Sequence, residues 1–396
     1  MNKIITIIFT LLLSACSSNK DKISNEIEKI PVNVHNISRH TLSFIEKIEI
    51  VPLETNDSSL VNGYRKVMYD KDLNVYAIFD KDQIVHTFGE DGTFIACSKK
   101  VKGNGPKEYS MAVDMKFNPY LKGIDLLNPY GEISTYDLSF NFISKKKIDP
   151  EFFFDALMPL DVDNYVFTNP SIWTNQEITF VNFKTKYQSI AKYSGMISAM
   201  NTMDKECFYQ RGSKFYFIPK GVDYYFYEID KESKTLIPII YLDFGDSKID
   251  EKELPGYVIG DRDKAEKNKV DHRKDNLTKG MQVRRQYLRK SDFVIPLIKF
   301  FNDHFIYIYF TKGAEKFGGH YIYNRKKRKG FLLNAGKPFV MQPCFGIVDN
   351  VLMAICDACY VPKLVDTNLM SLSEVKEMEL LKEEDNPVIL KYYLHK

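Results

Sequence analysis

A strand–turn–strand unit recurs along this chain at steps of roughly 46 to 48 residues, the spacing of a four-stranded propeller blade. The first copy is Gln83–Phe88, a turn at Glu90-Asp91-Gly92, and Thr93–Ala96. The second is Ile133–Tyr136, Asp137-Leu138-Ser139 and Phe140–Ile143; the third is Phe180–Phe183, Lys184-Thr185-Lys186 and Tyr187–Ile190. A fourth runs through Tyr225–Ile229, a turn containing Ser233, and Lys234–Ile237, and a fifth through Tyr321–Tyr323 and Phe331–Leu333. Each copy alternates apolar residues between clusters of Asp, Asn, Gly and Lys, which is the signature of a short strand bounded by turns. The step from Ile229 to Tyr323 is about twice the period, so roughly one period of other material is inserted there.

The insertion is Asp246–Lys290, dense in charge and poor in β-branched residues. Its second half, carrying Lys279, Arg284, Arg285, Arg289 and Lys290, reads as a basic amphipathic helix. A solvated helical excursion is expected, and it also offers a docking surface for an acidic envelope partner or lipid headgroups. Outside it, each period has room for two more strands, such as Gly63–Tyr69 and Leu73–Phe79, or Phe293–Phe301 and His304–Phe310. The last unit combines Phe345–Val348, a turn at Asp349-Asn350, Val351–Ile355, a helical stretch within Thr367–Glu384, and Val388–Leu394. An orphan strand, Phe44–Leu53, precedes the first repeat. Pairing it with Val388–Leu394 would close a ring and remove two exposed sheet edges. The expected fold is therefore all-β: a six-bladed β-propeller with four-stranded blades, plus a helical charged insertion.

Composition agrees and excludes some functions. The chain holds 25 Tyr and 28 Phe against one Trp, and aromatic residues favour pleated, half-buried surfaces. Lys+Arg 55 against Asp+Glu 52 leaves a net charge of +3, too little for nucleic-acid binding through bulk charge. No internal apolar run approaches the ~20 residues of a membrane helix, so a water-soluble body is expected; a monomer is also expected.

The N-terminus carries an address. Met1–Lys3 is a positive head, Ile4–Leu13 an apolar h-region, and Leu13-Ser14-Ala15-Cys16 resembles a bacterial lipobox. Residues 1–15 are expected to form a lipoprotein signal peptide, and Cys16 to become the acylated N-terminus. Residues 16–43 would then be the lipidated terminus and tether, and 44–396 the propeller with insertion 246–290. Acyl chains on Cys16 would anchor the protein to a leaflet without a spanning helix. Ser17 after the cysteine favours outer-membrane sorting; the face, periplasmic or cell-surface, is left open.

Three segments together resemble a known family. Ile50-Val51-Pro52-Leu53-Glu54-Thr55, Gly103-Asn104-Gly105-Pro106-Lys107-Glu108-Tyr109 and Asn386-Pro387-Val388-Ile389-Leu390 occur in order. They are similar to the uncharacterised six-bladed β-propeller lipoproteins, distantly NHL-repeat-like. The sequence departs from that pattern at Lys107, where glycine is common, and in the large insertion. The resemblance implies a fold and a location, and no reaction.

Several motifs invite a chemical reading. Gly103-Asn104-Gly105-Pro106 could cradle a phosphate, but it lacks the Gly-Lys-Ser/Thr ending of a P-loop, and a loop needing glycine's positive φ accounts for it. Cys356-Asp357-Ala358-Cys359 follows a strand rather than opening a helix, so nothing evident lowers a thiol pKa there. No second Cys or His pair completes a zinc site. Cys97, Cys207, Cys344, Cys356 and Cys359 are odd in number, so at least one stays free; buried thiols and one local disulfide remain the alternatives. A two-residue Asp349-Asn350 turn would set Cys344 opposite Ile355. His35 and His40 flank the first strand; His86, His304 and His320 are expected in strands, and His304 could meet His320 across a hairpin. Asp80, Asp125 and Asp161 end strands where a propeller channel is lined, as turn formers or as channel carboxylates.

The expected function is a lipid-anchored, non-catalytic propeller that binds a ligand or partner protein at the outer membrane, with no cofactor, metal or catalytic residue assigned. The alternative is an exported propeller hydrolase or lyase that uses channel carboxylates with calcium. Three or more Asp, Glu or His side chains converging on the channel favour the enzyme; an aromatic rim favours binding.

Overall fold

A computed structural model describes residues 27–34, 42–148, 153–169, 177–193, 206–220, 222–249, 283, 286–287, 290–312, 317–334 and 341–395. In chain order, β1 (Glu28–Pro31) and β2 (Ile45–Pro52) precede the first blade. Blade 1 is β3 (Lys66–Asp70), β4 (Val75–Phe79), β5 (Val85–Gly89) and β6 (Phe94–Cys97). Blade 2 is β7 (Asp114–Asn118), β8 (Gly123–Asn128), β9 (Glu132–Tyr136) and β10 (Phe142–Lys147). Blade 3 is β11 (Ala156–Pro159), β12 (Asn164–Thr168), β13 (Glu177–Asn182) and β14 (Tyr187–Lys192). Blade 4 holds β15 (Phe208–Arg211), β16 (Lys214–Phe217), β17 (Tyr225–Asp230) and β18 (Thr235–Asp243). Blade 5 is β19 (Val294–Phe301), β20 (Phe305–Lys312), β21 (Phe317–Asn324) and β22 (Lys329–Asn334). Blade 6 is β23 (Cys344–Val348), β24 (Val351–Cys356) and β25 (Val388–Leu394), completed by β2. The protein is thus a six-bladed β-propeller, and the five repeats are the outer hairpins of blades 1 to 5.

Blade geometry explains the burial pattern. A middle strand is covered on both faces by neighbouring blades, so alternation disappears: every residue of β4 is buried, as is every residue of β8 but its last. Outer strands such as β10 and β14 keep exposed positions, because one side faces water. The first strand of each blade is innermost: β3 packs on β7, β7 on β11, β11 on β15, β19 on β23 and β23 on β3. The turns repeat one device. A strand-end Asp or Asn accepts backbone N–H groups two and three residues on, as Asp70 does from Asp72 and Leu73 at 3.0 Å.

Ring closure is as expected. β2 pairs antiparallel with β25 from Ile45↔Leu394 to Pro52↔Val388. Two of the family-like segments meet at this seam. Buried Asn386 donates through Nδ2 to Glu54 O (2.7 Å) and Ser59 O (3.0 Å), while its Oδ1 accepts from Val61 N (2.9 Å). Thr55 Oγ1 accepts from Asn386 N at 2.8 Å. Between β24 and β25 a helix spans Leu372–Glu379, started by a capping box of Ser371 and Glu374.

The 16–43 tether differs from expectation. Its residues 28–31 form β1, which adds a parallel fifth strand to blade 4 in the register Glu28↔Ile240 to Pro31↔Asp243. Ile30, Val32 and Val34 are buried, and Tyr321 of blade 5 donates to Pro31 O at 2.6 Å. This segment therefore straps blade 4 to blade 5. The tie is tertiary, so its short sequence carried no repeat signal. The signal peptide, Cys16, His35, His40 and residues 250–282 of the insertion lie outside the described residues.

Candidate functional site: the central channel

Charged side chains inside the innermost strands make the channel. Asp114 and Lys116 alternate with Met115 and Phe117 along β7, which puts both charges on one face of that strand. Asp114 Oδ1 accepts from Lys66 Nζ of β3 at 2.8 Å, and its Oδ2 accepts from Leu157 N of β11 at 3.0 Å. Glu206, two residues before β15 begins, reaches Lys116 Nζ at 2.9 Å and Lys66 Nζ at 3.1 Å. Its other oxygen accepts from Phe208 N at 2.9 Å, and Lys116 also donates to Phe208 O at 2.6 Å. Two lysines and two carboxylates thereby join blades 1, 2 and 4, with their charges balanced.

The balance decides the protonation states. Burial pushes the Glu206 carboxyl up, but Lys116 and Lys66 together outweigh it and hold the group down at about 2. Burial would lower Lys66, but Asp114 and Glu206 overcome it and hold the ammonium above its usual value. For Lys116, burial, reinforced by repulsion from Lys66, dominates and the pKa falls. Burial also raises Asp114.

This quartet stands between two cavities, and Glu206, Val67 and Phe345 line both. The larger, about 650 Å³, opens on the face where the innermost strands end. Tyr69, Phe117, Tyr209, Phe301 and Phe345 contribute its aromatic wall. Its rim is laced by ion pairs between blades: Lys71–Asp349 at 2.7 Å, and Arg211–Asp303. Asn302 Nδ2 donates to Asp349 O at 2.6 Å. The smaller cavity, about 150 Å³, lies toward the opposite face beside Tyr64, Arg65 and Gln342. Among the described residues, no group of three or more His, Cys, Asp or Glu is placed to hold a metal ion.

The carboxylates singled out from the sequence lie elsewhere. Asp80 follows β4 and meets His86 Nε2 at 3.1 Å, buried within blade 1. Asp125 lies within β8, where its oxygens accept from Thr135 Oγ1 (2.6 Å), Asn118 Nδ2 (2.8 Å) and Tyr165 OH (3.1 Å). Burial lifts it to about 6 despite those donors. Asp161 is a turn former, accepting from Asp163 N and Asn164 N at 2.8 Å each. Asp80 and Asp125 miss the channel because they belong to a second strand or the turn after it, one strand away from the axis; Asp161 follows innermost β11, but its carboxylate is taken up by its own turn and does not line the funnel.

Other expectations are corrected in the same way. His304 sits in the β19–β20 turn rather than in a strand, and His320 pairs in register with Tyr309, so the two histidines do not meet. Buried His320 instead shares a 2.9 Å hydrogen bond with Tyr307 OH, and burial lowers its pKa to about 3. A bulge between Cys344 and Gly346 places Cys344 opposite Ala354, not Ile355. All five described cysteines are free thiols, and burial pushes Cys356 up to about 12, the reverse of a redox thiol. In the Gly103–Pro106 loop neither glycine has positive φ. Gly103 instead leaves room for a carboxylate: a Cβ there would lie 2.1 Å from Glu108 Oε2, which accepts from Gly105 N at 2.8 Å, and would displace it. The loop's own carboxylate thus fills the place a phosphate would take.

The sequence profile of a family described as a domain of unknown function (DUF4934) matches residues 28–393. A crystal structure of a Bacteroides fragilis NCTC 9343 protein, described there only as a candidate exported protein, superposes with a TM-score of 0.67 at 16% identity. That superposition covers 94% of this chain and 100% of the other. The WD40 β-propeller domain of Doa1 aligns over 45% of this chain and 53% of its own, at 12% identity and a TM-score of 0.31. A search of curated proteins finds no match.

Proposed function

The chain belongs to the DUF4934 family, and from that premise we propose that it is an exported, lipid-anchored, non-catalytic propeller that binds a ligand or partner protein at the outer membrane through the 650 Å³ funnel. One observation carries the binding reading: Glu206 at the funnel's floor is engaged by Lys66 and Lys116, the rim carboxylates Asp349 and Asp303 are paired with Lys71 and Arg211, Asp70 is held by its own turn, and the wall is aromatic. A general base needs a poised, accessible carboxylate, and a calcium site needs several free oxygens. Aromatic walls with a polar rim suit a bound side chain or small molecule. The lipobox ending in Cys16 supports the anchor, and the charged run 246–290 supports a second contact with an envelope partner.

Site-specific photocrosslinkers at Asp72 and His304, on the funnel rim, test this in intact cells, with Ile190 on the outer edge of blade 3 as control. Discrete adducts from both rim positions and none from Ile190 are expected. Adducts from Ile190 alone, or none anywhere, would overturn the funnel as binding site. In the same strain Cys16→Ala should move the protein out of the membrane fraction; unchanged detergent partitioning would remove the anchor from this reading.

A further inference from the structure

The strap and the fifth blade together place a cationic tip beside the tether. Asn324 is buried, and its Oδ1 accepts from Lys327 N at 2.8 Å. Arg328 takes a φ of 51°. These features fix the turn between β21 and β22. Arg325 at its base donates from Nη1 to Asn302 O at 2.8 Å and from Nε to Glu28 Oε1 at 3.2 Å, a carboxylate it meets also through Nη2. Lys326, Lys327, Arg328 and Lys329 then stand exposed at the tip. Glu28 opens β1, so the chain toward Cys16 leaves the ring next to this turn.

The geometry points to the Lys326–Lys329 turn as a contact for anionic phospholipid headgroups, setting the ring's edge at blades 4 and 5 against the leaflet that holds the acylated N-terminus. The inference rests on the lipid anchor at Cys16. From Cys16 to Glu28 the chain is about 12 residues and spans at most ~40 Å, which keeps this edge near the bilayer. Headgroup attraction acts over roughly one Debye length of ~8–10 Å, so only the cations nearest the tether can use it. Rigid presentation matters, because a turn already fixed by Asn324 and Arg325 loses little freedom on contact. An acyl chain combined with a basic cluster is the two-signal arrangement that makes peripheral anchoring stable. Edge-on seating also leaves the funnel open to its ligand.

The test uses the mature acylated protein in phosphatidylcholine vesicles with and without ~30% phosphatidylglycerol, chosen to give a strongly anionic surface. Amine acetylation is followed by mass spectrometry at Lys326, Lys327 and Lys329, with exposed Lys99 of blade 1 as internal reference. With phosphatidylglycerol at low salt, the three lysines should react about five-fold or more slowly relative to Lys99, and ~0.5 M salt should abolish the difference. In the K326E/K327E/R328E variant Lys329 should lose its protection. Retention on vesicles with no protection of the turn in either lipid would overturn the headgroup contact while leaving the anchor intact. Failure to associate with either vesicle would instead indict acylation at Cys16. Protection in whole cells but not in protein-free vesicles would assign the turn to an acidic protein and overturn the lipid contact.

Discussion

A chain that begins at Glu54 is expected to lose its cooperative fold, whereas one that begins at Ile27 should melt with the full-length protein. The first truncation removes β2 and with it buried Phe44, Ile45, Ile48, Ile50 and Leu53. Burying each such side chain is worth about 1.5–3 kcal/mol, so their loss is on the order of 10 kcal/mol. That equals much of the ~5–15 kcal/mol by which a domain is stable. The truncation also bares β25 as an open edge, a template for aggregation. A start at residue 35 should fall between the two, because it loses only β1 and buried Ile30, Val32 and Val34. Thermal midpoints by circular dichroism check the order. Equal midpoints for the Glu54 and Ile27 starts would mean that the ring is held closed without β2.

The second large effect is at the axis. Glu206→Ala should cost about 3–5 kcal/mol, because Lys116 is left buried without its carboxylate partner. Lys116→Met combined with Glu206→Leu should recover most of that loss, since removing both charges also removes their desolvation cost. If the double variant were no better than the single one, shape rather than charge would govern the waist. The pH dependence has a defined sign. Glu206 is held at about 2 against an ordinary 4.5, so its contribution is fully present above about pH 4.5 and is lost as pH falls toward 2. The parent should therefore lose stability over that window more steeply than the double variant. Asp114 is raised by burial and works in the opposite sense, so the comparison between variants, rather than the parent's profile alone, isolates Glu206.

Much of the ring could be read from the chain, because a propeller repeats its local instructions. Each outer hairpin needs apolar alternation and a turn former, and both are local properties, as in Ile133–Tyr136 followed by Asp137. Closure was legible for a related reason: an unpaired Phe44–Leu53 strand and a last blade short of one strand have only each other. The Asp349-Asn350 turn was likewise read correctly, but the bulge beside Cys344 was not. Bulges respond to packing against the next blade rather than to the strand's own pattern.

The channel was misread because distance from the axis is not written in a strand-ending aspartate. Asp80, Asp125 and Asp161 have the right residue type, but the first two belong to a second strand or the turn after it, and the third is spent on its own turn after β11. Asp114 and Lys116, two charges alternating through an otherwise apolar strand, were the available signal. Their partners Lys66 and Glu206 are 48 and 90 residues from Asp114 and Lys116 respectively, with nothing local to link them. By itself the sequence determined the blade count, the all-β class and the closing pair, since repeat period and alternation act within a few residues. Only the tertiary structure decided which charges face the axis, that they neutralise one another across it, and that residues 28–31 strap blade 4 to blade 5. Those outcomes depend on which strands become neighbours once the ring has closed, and desolvation then makes each buried charge require the partner that closure supplies.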